Sequence, residues 1–571
     1  MSQAPTPPPW PAPEPCNVAA ALTRQARERP DAAAIHFPVG RRGNDVRYQS
    51  FSYAELDRES DAVARGLLAM GIRPGERAAL MVPPGREFFV LFFALFKAGI
   101  VPVLIDPGIG PKHLKQCLGE AAPDAFIGIT RAQLASVLLR WSPATIRHRV
   151  TVGPRLGWGG QSLARVAAMG RDAGDTPALC TTGPDDLAAI LFTSGSTGPP
   201  KGVIYRHRQF HYQVEMLRDR FDIQPGEVDL ATFPPFALFD PALGMTTVVP
   251  YMDPTRPARA DPALLLDAIR RFGVTNVFGS PALLRNLGLH LEQNDETLDG
   301  VRRVLSAGAA VPTETVRRVA ARLPDGARVH TPYGATECLP VASIDSAGLD
   351  DDVIAAAANG EGICVGTPVA PNLVFVMAVT DEAVPRLEPE HLLETDQVGE
   401  IIVHGPTATP GYWHRDSATE RAVTVDGKGR AWHRMGDIGR IDEQGRIWFM
   451  GRKSQRVRAA GGDLYTDQLE AIFNTHPEVA RTALVGVGAS GEQRPVLCVE
   501  PRQPGRVKDE AFAGELRQAL LDIASERDST RAIATVLFHP GFPVDIRHNS
   551  KIGRETLATW AAGQLGGGSG S

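Results

Sequence analysis

The chain has 571 residues, with 60 basic and 65 acidic side chains and a formal net charge of −5. That length exceeds what one ordinary core organises and predicts two or more domains. There is no basic surplus for nucleic acid or an anionic membrane surface, and 43% hydrophobic with 22% charged residues is the composition of a soluble globular protein.

Residues 1–16 form a proline-rich lead-in without the basic start and apolar stretch of a signal peptide. Leu56, Val63, Leu67 and Met70 fall on one face of a helix predicted over 54–70. "AALMV" and "VPVLID" are short apolar runs closed by Pro or Gly, the pattern of buried strands. The longest apolar run, 88–96, is closed by Lys97. It is far short of the roughly 20 residues that span a bilayer and predicts a buried helix. The stretch 263–287 reads helix, strand, turn, helix. This alternation, continuing to about residue 450, predicts parallel sheets covered by helices.

The tail changes character. Residues 426–457 read as short antiparallel strands with turns at Gly436 and Gln444-Gly445. A helix near 466–474, strands at "RTALVGV" and "RPVLCVE", a helix near 509–525 and a lysine-containing segment follow. The expected fold class is α/β: a large domain over 17–453 with parallel-rich sheets, then a small α+β domain over 454–563. "GGGSGS" at 566–571 has the composition of an added flexible linker. The six cysteines are scattered, with no C-x-x-C pair, so reduced thiols and a cytoplasmic location are expected.

"LFTSGSTGPPKG" (191–202) is the densest chemical signal. Glycines at 195, 198 and 202 let the backbone approach an anion closely, and successive N–H groups in such a turn cradle it. Thr193, Ser194, Ser196 and Thr197 add hydroxyl donors, and Lys201 adds a charge. The Walker pattern fails. Two prolines precede Lys201, and "GVIY" after it reads as a strand, where a Walker loop opens a helix. "GVGASG" (486–491) matches a dinucleotide fingerprint, but "EQRPVLCVE" after it reads as a strand, so a strand–loop–strand turn is expected. His207 and His211 are spaced i, i+4 without a third ligand, and no G-x-S-x-G elbow occurs.

The loop, with "SAGAAVP" (306–312), "YGATE" (333–337), "MGDIGRIDEQGRIWFMGR" (435–452) and "NSKIGRETL" (549–557), resembles the ordered motifs of the adenylate-forming superfamily. That superfamily includes acyl-CoA synthetases, peptide-synthetase adenylation domains and luciferases. The resemblance implies attack of a carboxylate on the α-phosphorus of ATP, giving an acyl-adenylate and pyrophosphate. By resemblance, Thr193, Ser194, Gly195, Ser196, Thr197, Gly198 and Lys201 would hold the β- and γ-phosphates. Gly308, Ala309 and Ala310 would face adenine, with Tyr333 and Gly334 beside them. Thr336 would bind the α-phosphate and Glu337 would ligate Mg²⁺. Asp437 and Arg452 would take the ribose. The small domain would be a mobile lid, and its Lys551 would stabilise the transition state. Taken alone, Thr336-Glu337 also reads as a helix N-cap. The usual hinge residue two places after Gly-Arg is Asp or Lys; here it is Ser454.

"FPPFALFDPALGM" (233–245) lies where the superfamily lines its acyl pocket, implicating Phe236, Ala237, Phe239 and Asp240, with Gly279 nearby. Asp240-Pro241 also reads as an N-cap followed by Pro at the first helical position. Ala237 stands where many members carry a His associated with transfer to a thiol. This segment, with "YGATECLP" and "GRKSQRV…RHNSKIGR", resembles the β-lactone synthetases of bacterial long-chain olefin biosynthesis. That resemblance implies a 2-alkyl-3-hydroxy fatty acid whose own hydroxyl closes the ring, with Asp240 as a contact for that hydroxyl. It also implies pathway partners: a thiolase, a reductase and a β-lactone decarboxylase. An acyl-CoA synthetase and a non-catalytic adenylate-binding protein remain alternatives.

Overall fold

The computed structural model describes residues 10–106, 109–174, 178–193, 200–233, 237–544 and 551–566. The short apolar runs form strands and the amphipathic runs cover them. Arg77–Met81, Val101–Ile105, Ala125–Ile129, His148–Val152 and Leu187–Thr193 run parallel in a 7-stranded sheet. Its edge strand, Lys201–Arg206, is antiparallel.

The first predicted helix is Tyr53–Ala69. Ser52 Oγ accepts from the Glu55 N–H while Glu55 accepts from the Ser52 N–H, a reciprocal start that satisfies two orphan donors. The apolar run forms the helix Arg86–Lys97, buried from Phe88 onward. Each buried Phe there contributes about 1.5–3 kcal/mol of transfer free energy. Lys97 ends the helix with a fully buried ammonium, 2.6 Å from Asp57 Oδ1 and 2.6 Å from Asp61 Oδ1. Without two such partners a buried ammonium would be strongly destabilising.

In the second sheet, Val228–Ala231, Thr246–Val248, Asn276–Phe278, Arg303–Leu305 and Arg328–Ala335 pair in parallel. The helices Pro262–Phe272 and Pro281–Gln293 flank Asn276–Phe278 in sequence, as 263–287 predicts. Beyond Arg328–Ala335 the sheet is antiparallel. Cys338–Asp345, Ile363–Pro368, Ile447–Arg452, Ala431–Ile441, Gly399–His404 and Leu373–Met377 follow in spatial order. The expectation of parallel sheets to about residue 450 therefore fails after 335. Ala335 and Cys338 are joined by only Thr336 and Glu337, far too short a link for a parallel crossover.

The turn expected at Gly436 is also absent. Ala431–Ile441 is one strand, and Gly436 sits inside it with φ +65°, a glycine irregularity rather than a reversal. The turn at Gln444-Gly445 is present and joins that strand to Ile447–Arg452.

The C-terminal region builds cores of its own. Val479–Val487 and Arg494–Pro501 pair antiparallel, and Val536–Phe538 joins in parallel. "GVGASG" is thus a strand–loop–strand turn. Leu469, Phe473, Leu484, Leu497, Leu516 and Leu520 pack together beneath the helices Thr466–Phe473 and Glu510–Ser525. Among the described residues, no buried apolar cluster mixes side chains from before and after residue 457. At the junction, the buried Glu400 carboxylate takes Lys453 Nζ at 2.8 Å and Arg434 Nη2 at 2.6 Å. Among the described residues no helix is long and apolar enough to cross a membrane, and all six cysteines are free thiols.

Candidate active site

Thr193 pairs with Lys201 across two antiparallel strands. The loop between them therefore links strand to strand, as "GVIY" predicts. Ser194, Gly195, Ser196, Thr197 and Gly198 lie outside the described residues, as does the Thr193 side chain. Lys201 Nζ stands 4.7 Å from the centre of the Tyr412 ring, a cation–π contact. Burial lowers the Lys201 pKa, while the Glu337 carboxylate acts to raise it.

Tyr412 links Lys201 to the next group, because its hydroxyl donates to Glu337 Oε1 at 2.8 Å. Thr336 and Glu337 form the tip of a hairpin between Arg328–Ala335 and Cys338–Asp345, so they do not cap a helix. Gly334 makes this turn possible: a Cβ there would lie 2.6 Å from the Cys338 carbonyl oxygen. Tyr205 Oη donates to the Thr336 carbonyl at 2.5 Å, and the Thr409 N–H donates to the Glu337 carbonyl at 2.7 Å. The tip is thereby held from two sides.

Tyr333, on the same hairpin, reaches the third group. Its hydroxyl donates to Asp437 Oδ2 at 2.6 Å. Asp437 and Arg452 are cross-strand partners, and Arg452 Nη1 stands 3.0 Å from Asp437 Oδ1. That contact is off the hydrogen-bond axis. Oδ1 has charge compensation but no in-line donor among the described residues. Burial pushes the Asp437 carboxyl above the ordinary range, and Arg452 opposes the shift. Burial and the Asp437 charge push the Tyr333 phenol well up.

Gly308, with φ +95°, and its neighbours Ala309 and Ala310 form the loop after Arg303–Leu305. Lys551 is exposed, three residues before the helix Arg554–Gly566. It is carried by the C-terminal region, whereas Lys201, Glu337, Asp437 and Arg452 are gathered on the large sheets.

A family model described as AMP-binding enzyme matches residues 22–413. The chain belongs to the AMP-binding enzyme family. Two relatives align over nearly their whole length. An olefin beta-lactone synthetase of Xanthomonas campestris pv. campestris is 57% identical over 96% of this chain and 98% of its own. An olefin beta-lactone synthetase of Stenotrophomonas maltophilia is 53% identical over 96% and 99%. In fold, the chain is similar to an anthranilate CoA ligase solved with anthranoyl-AMP, with TM-score 0.77 and 19% identity over 97% of this chain and 99% of that one.

In this AMP-binding enzyme a cavity of about 60 Å³ lies beside the hairpin, with Ala307 and Pro332 among its lining residues. Phe239 and Asp240 line it. Ala237 and Gly279 do not. Ala237 is packed in the large core, and a Cβ on Gly279 would meet Leu284 Cδ2 at 2.8 Å, so that glycine serves close packing. Phe236 lies outside the described residues. The expected capping role of Asp240 is absent. Phe239 holds the cap position of the short helix Asp240–Leu243, and the Asp240 carboxylate instead accepts from Thr247 Oγ1 at 2.6 Å. Two further polar groups line the cavity, Asp229 and Asn276.

Sequence reasoning missed Tyr205 and Tyr412, which are single aromatics on strand and loop with no periodic signal. It also missed Asp229 and Asn276. Their signal was available: each is a lone polar residue in an otherwise apolar parallel strand, "VDLA" and "NVF". His207 is buried, its Nδ1 accepts from the Val18 N–H at 3.4 Å, and burial lowers its pKa to about 4. His211 instead faces Glu215 at 3.3 Å.

Proposed function

We propose that this AMP-binding enzyme activates a long-chain 2-alkyl-3-hydroxy fatty acid with ATP and closes it to a β-lactone, releasing pyrophosphate and AMP. The observation that carries this reading is the 57% identity to an olefin beta-lactone synthetase over nearly the full length of both chains.

In the first step a carboxylate oxygen bonds to the α-phosphorus, and the bond from that phosphorus to pyrophosphate breaks. In the second, the 3-hydroxyl oxygen bonds to the acyl carbon, the hydroxyl proton is lost and AMP departs. No external acceptor is needed. The nucleophile is already tethered, and that proximity offsets part of the strain of a four-membered ring.

The residues divide the work. Asp437 Oδ1, lacking an in-line donor, suits a ribose hydroxyl, with Arg452 holding the carboxylate charged. Lys201 and the 193–198 loop take the β- and γ-phosphates, and Gly308, Ala309 and Ala310 flank the base. Thr336 addresses the α-phosphate from the hairpin tip. Glu337 has one oxygen committed to Tyr412 and a second carboxylate oxygen to offer. A single carboxylate suits Mg²⁺, which takes its other oxygens from phosphates and water. When bound, that ion neutralises phosphate charge. Lys551 enters from the C-terminal lid, so residues 454–563 must close over the nucleotide. We place the enzyme in the cytoplasm beside the thiolase, reductase and decarboxylase of the same route.

The test is product analysis with ATP, Mg²⁺ and a 3-hydroxy acid, with and without CoA. Lactone, AMP and pyrophosphate are expected without CoA. Adenylation without lactone overturns the second step, and strict dependence on CoA makes the enzyme an acyl-CoA synthetase. Lys551→Ala is expected to slow pyrophosphate release by about 10³-fold; an unchanged rate removes Lys551 from the mechanism.

A further inference from the structure

The cavity has an unusual floor. Asp229, Asp240 and Asn276 line it, and each is only 4% exposed. Around them the walls are apolar, with Leu217, Phe221, Leu243, Met245 and Phe278 among the lining residues. Neither aspartate makes an ion pair among the described residues. The nearby guanidinium, Arg303, is engaged by Glu227 and by the Asp222 carbonyl at 2.9 Å. Asn276 Nδ2 donates to Asp229, while Asn276 Oδ1 has no hydrogen-bond partner among the described residues. Asp240 Oδ2 accepts from Thr247 Oγ1 at 2.6 Å, so among the described residues each aspartate has one neutral donor and no paired cation. Burying carboxyl groups and an unpartnered amide oxygen in this way is costly unless something else uses them.

The chemistry of this floor narrows what it can receive. Two neighbouring carboxyl groups in an apolar cavity resist ionising together, so one keeps a proton and can donate while the other groups accept. Burial pushes both aspartates up, Asp229 to about 7. A second anion is repelled there, and a bare hydrocarbon leaves the polar atoms unsatisfied. A hydroxyl, which both donates and accepts, completes them. Ala307 and Pro332, which line the cavity, are the chain neighbours of Gly308 and Tyr333, so the floor lies close to residues proposed for the nucleotide.

We infer that Asp240, backed by Asn276 and Asp229, is a specificity determinant that recognises the hydroxyl of the acyl substrate. This rests on the reading of that substrate as a hydroxy acid. The recognition acts on binding and adenylation and needs no covalent step by Asp240.

The experiment measures pyrophosphate release by the full chain with matched 3-hydroxy and 3-deoxy long-chain acids. The wild type is expected to favour the hydroxy acid in kcat/KM by about 10-fold or more, because a buried polar site discriminates against an analogue that leaves it unpaired. Asp240→Ala is expected to reduce that preference below about twofold by losing the hydroxy acid, with the deoxy acid little changed. Asp240→Asn keeps a hydrogen-bonding group of the same shape and is expected to retain the preference. Asn276→Ala is expected to weaken it and serves if Asp240→Ala does not fold. Equal losses on both acids mean a structural role and overturn the inference, as does a wild type without preference. Pyrophosphate release does not depend on ring closure. A wild type that prefers the hydroxy acid but makes no lactone sinks the proposed function and leaves this inference standing.

Discussion

Buried carboxylates in two parts of this protein are compensated in different ways. Asp437 is held by a phenol at 2.6 Å and a guanidinium at 3.0 Å. Among the described residues, Asp229 and Asp240 have an amide and a threonine hydroxyl as their hydrogen-bond partners. At Asp437 a cation opposes the upward shift that desolvation imposes and works in favour of the charged form. At Asp229 and Asp240, desolvation goes unopposed by an ion pair and favours the neutral form. The contrast fits the two ligands proposed: a polyanionic nucleotide, which fixed charges would organise, and an apolar chain, which would pass uncharged polar atoms.

The largest test of this contrast is Asp437→Ala. It strands the Arg452 guanidinium and the Tyr333 hydroxyl, and pyrophosphate release is expected to fall about 10²-fold or more. A loss of under about threefold would mean that the cation–carboxylate pair does not organise the nucleotide. Tyr412→Phe is a smaller cut. Removing the donor to Glu337 is expected to lower the rate about 5- to 10-fold and to raise the Mg²⁺ concentration required; a magnesium titration at fixed ATP checks both.

The smallest effect concerns stability. The Asp229 carboxyl, near 7 when folded, stays protonated where the unfolded chain has already ionised. The folded state therefore binds the extra proton between roughly pH 4 and 7, and stability falls as pH rises through that window and is level above it. Asp229→Asn removes the loss while keeping a partner for Asn276. Its Tm is expected to exceed the wild type by about 2 °C at pH 8, with the gap shrinking toward pH 5. A gap that widens on acidification would place Asp229 with the compensated acids.

What was legible in the sequence follows the same division. The residues proposed for the nucleotide lie in motifs with glycine, threonine and charged residues in a fixed order. Motif and spacing therefore singled out Lys201, Glu337, Asp437 and Arg452, although Lys201, Asp437 and Arg452 stand in strands. Tyr333 and Gly334 came with them. The polar floor is assembled from Asp229 and Asn276, which neighbouring parallel strands set side by side, and from Asp240 on the short helix Asp240–Leu243, which Thr247 holds. No local pattern reports such a meeting. Fold class was readable from the alternation of helix and strand. The antiparallel half of the second sheet was not, since a two-residue link such as Thr336-Glu337 looks the same whether it caps a helix or turns a hairpin. Gly436 misled for a related reason: glycine marks a kink inside a strand as readily as a reversal.

The ion cluster at the junction has a mechanical side. Lys453 is moored to Glu400 and to the Thr380 carbonyl at 2.9 Å, while the next residue is Ser454, a small side chain in place of the usual charged one. Twisting the backbone ahead of Lys453 tears its ammonium from both oxygens; twisting it at Ser454 leaves them in place. If residues 454–563 swing as the proposed lid, the axle would have a fixed bearing at Lys453 and free play at Ser454.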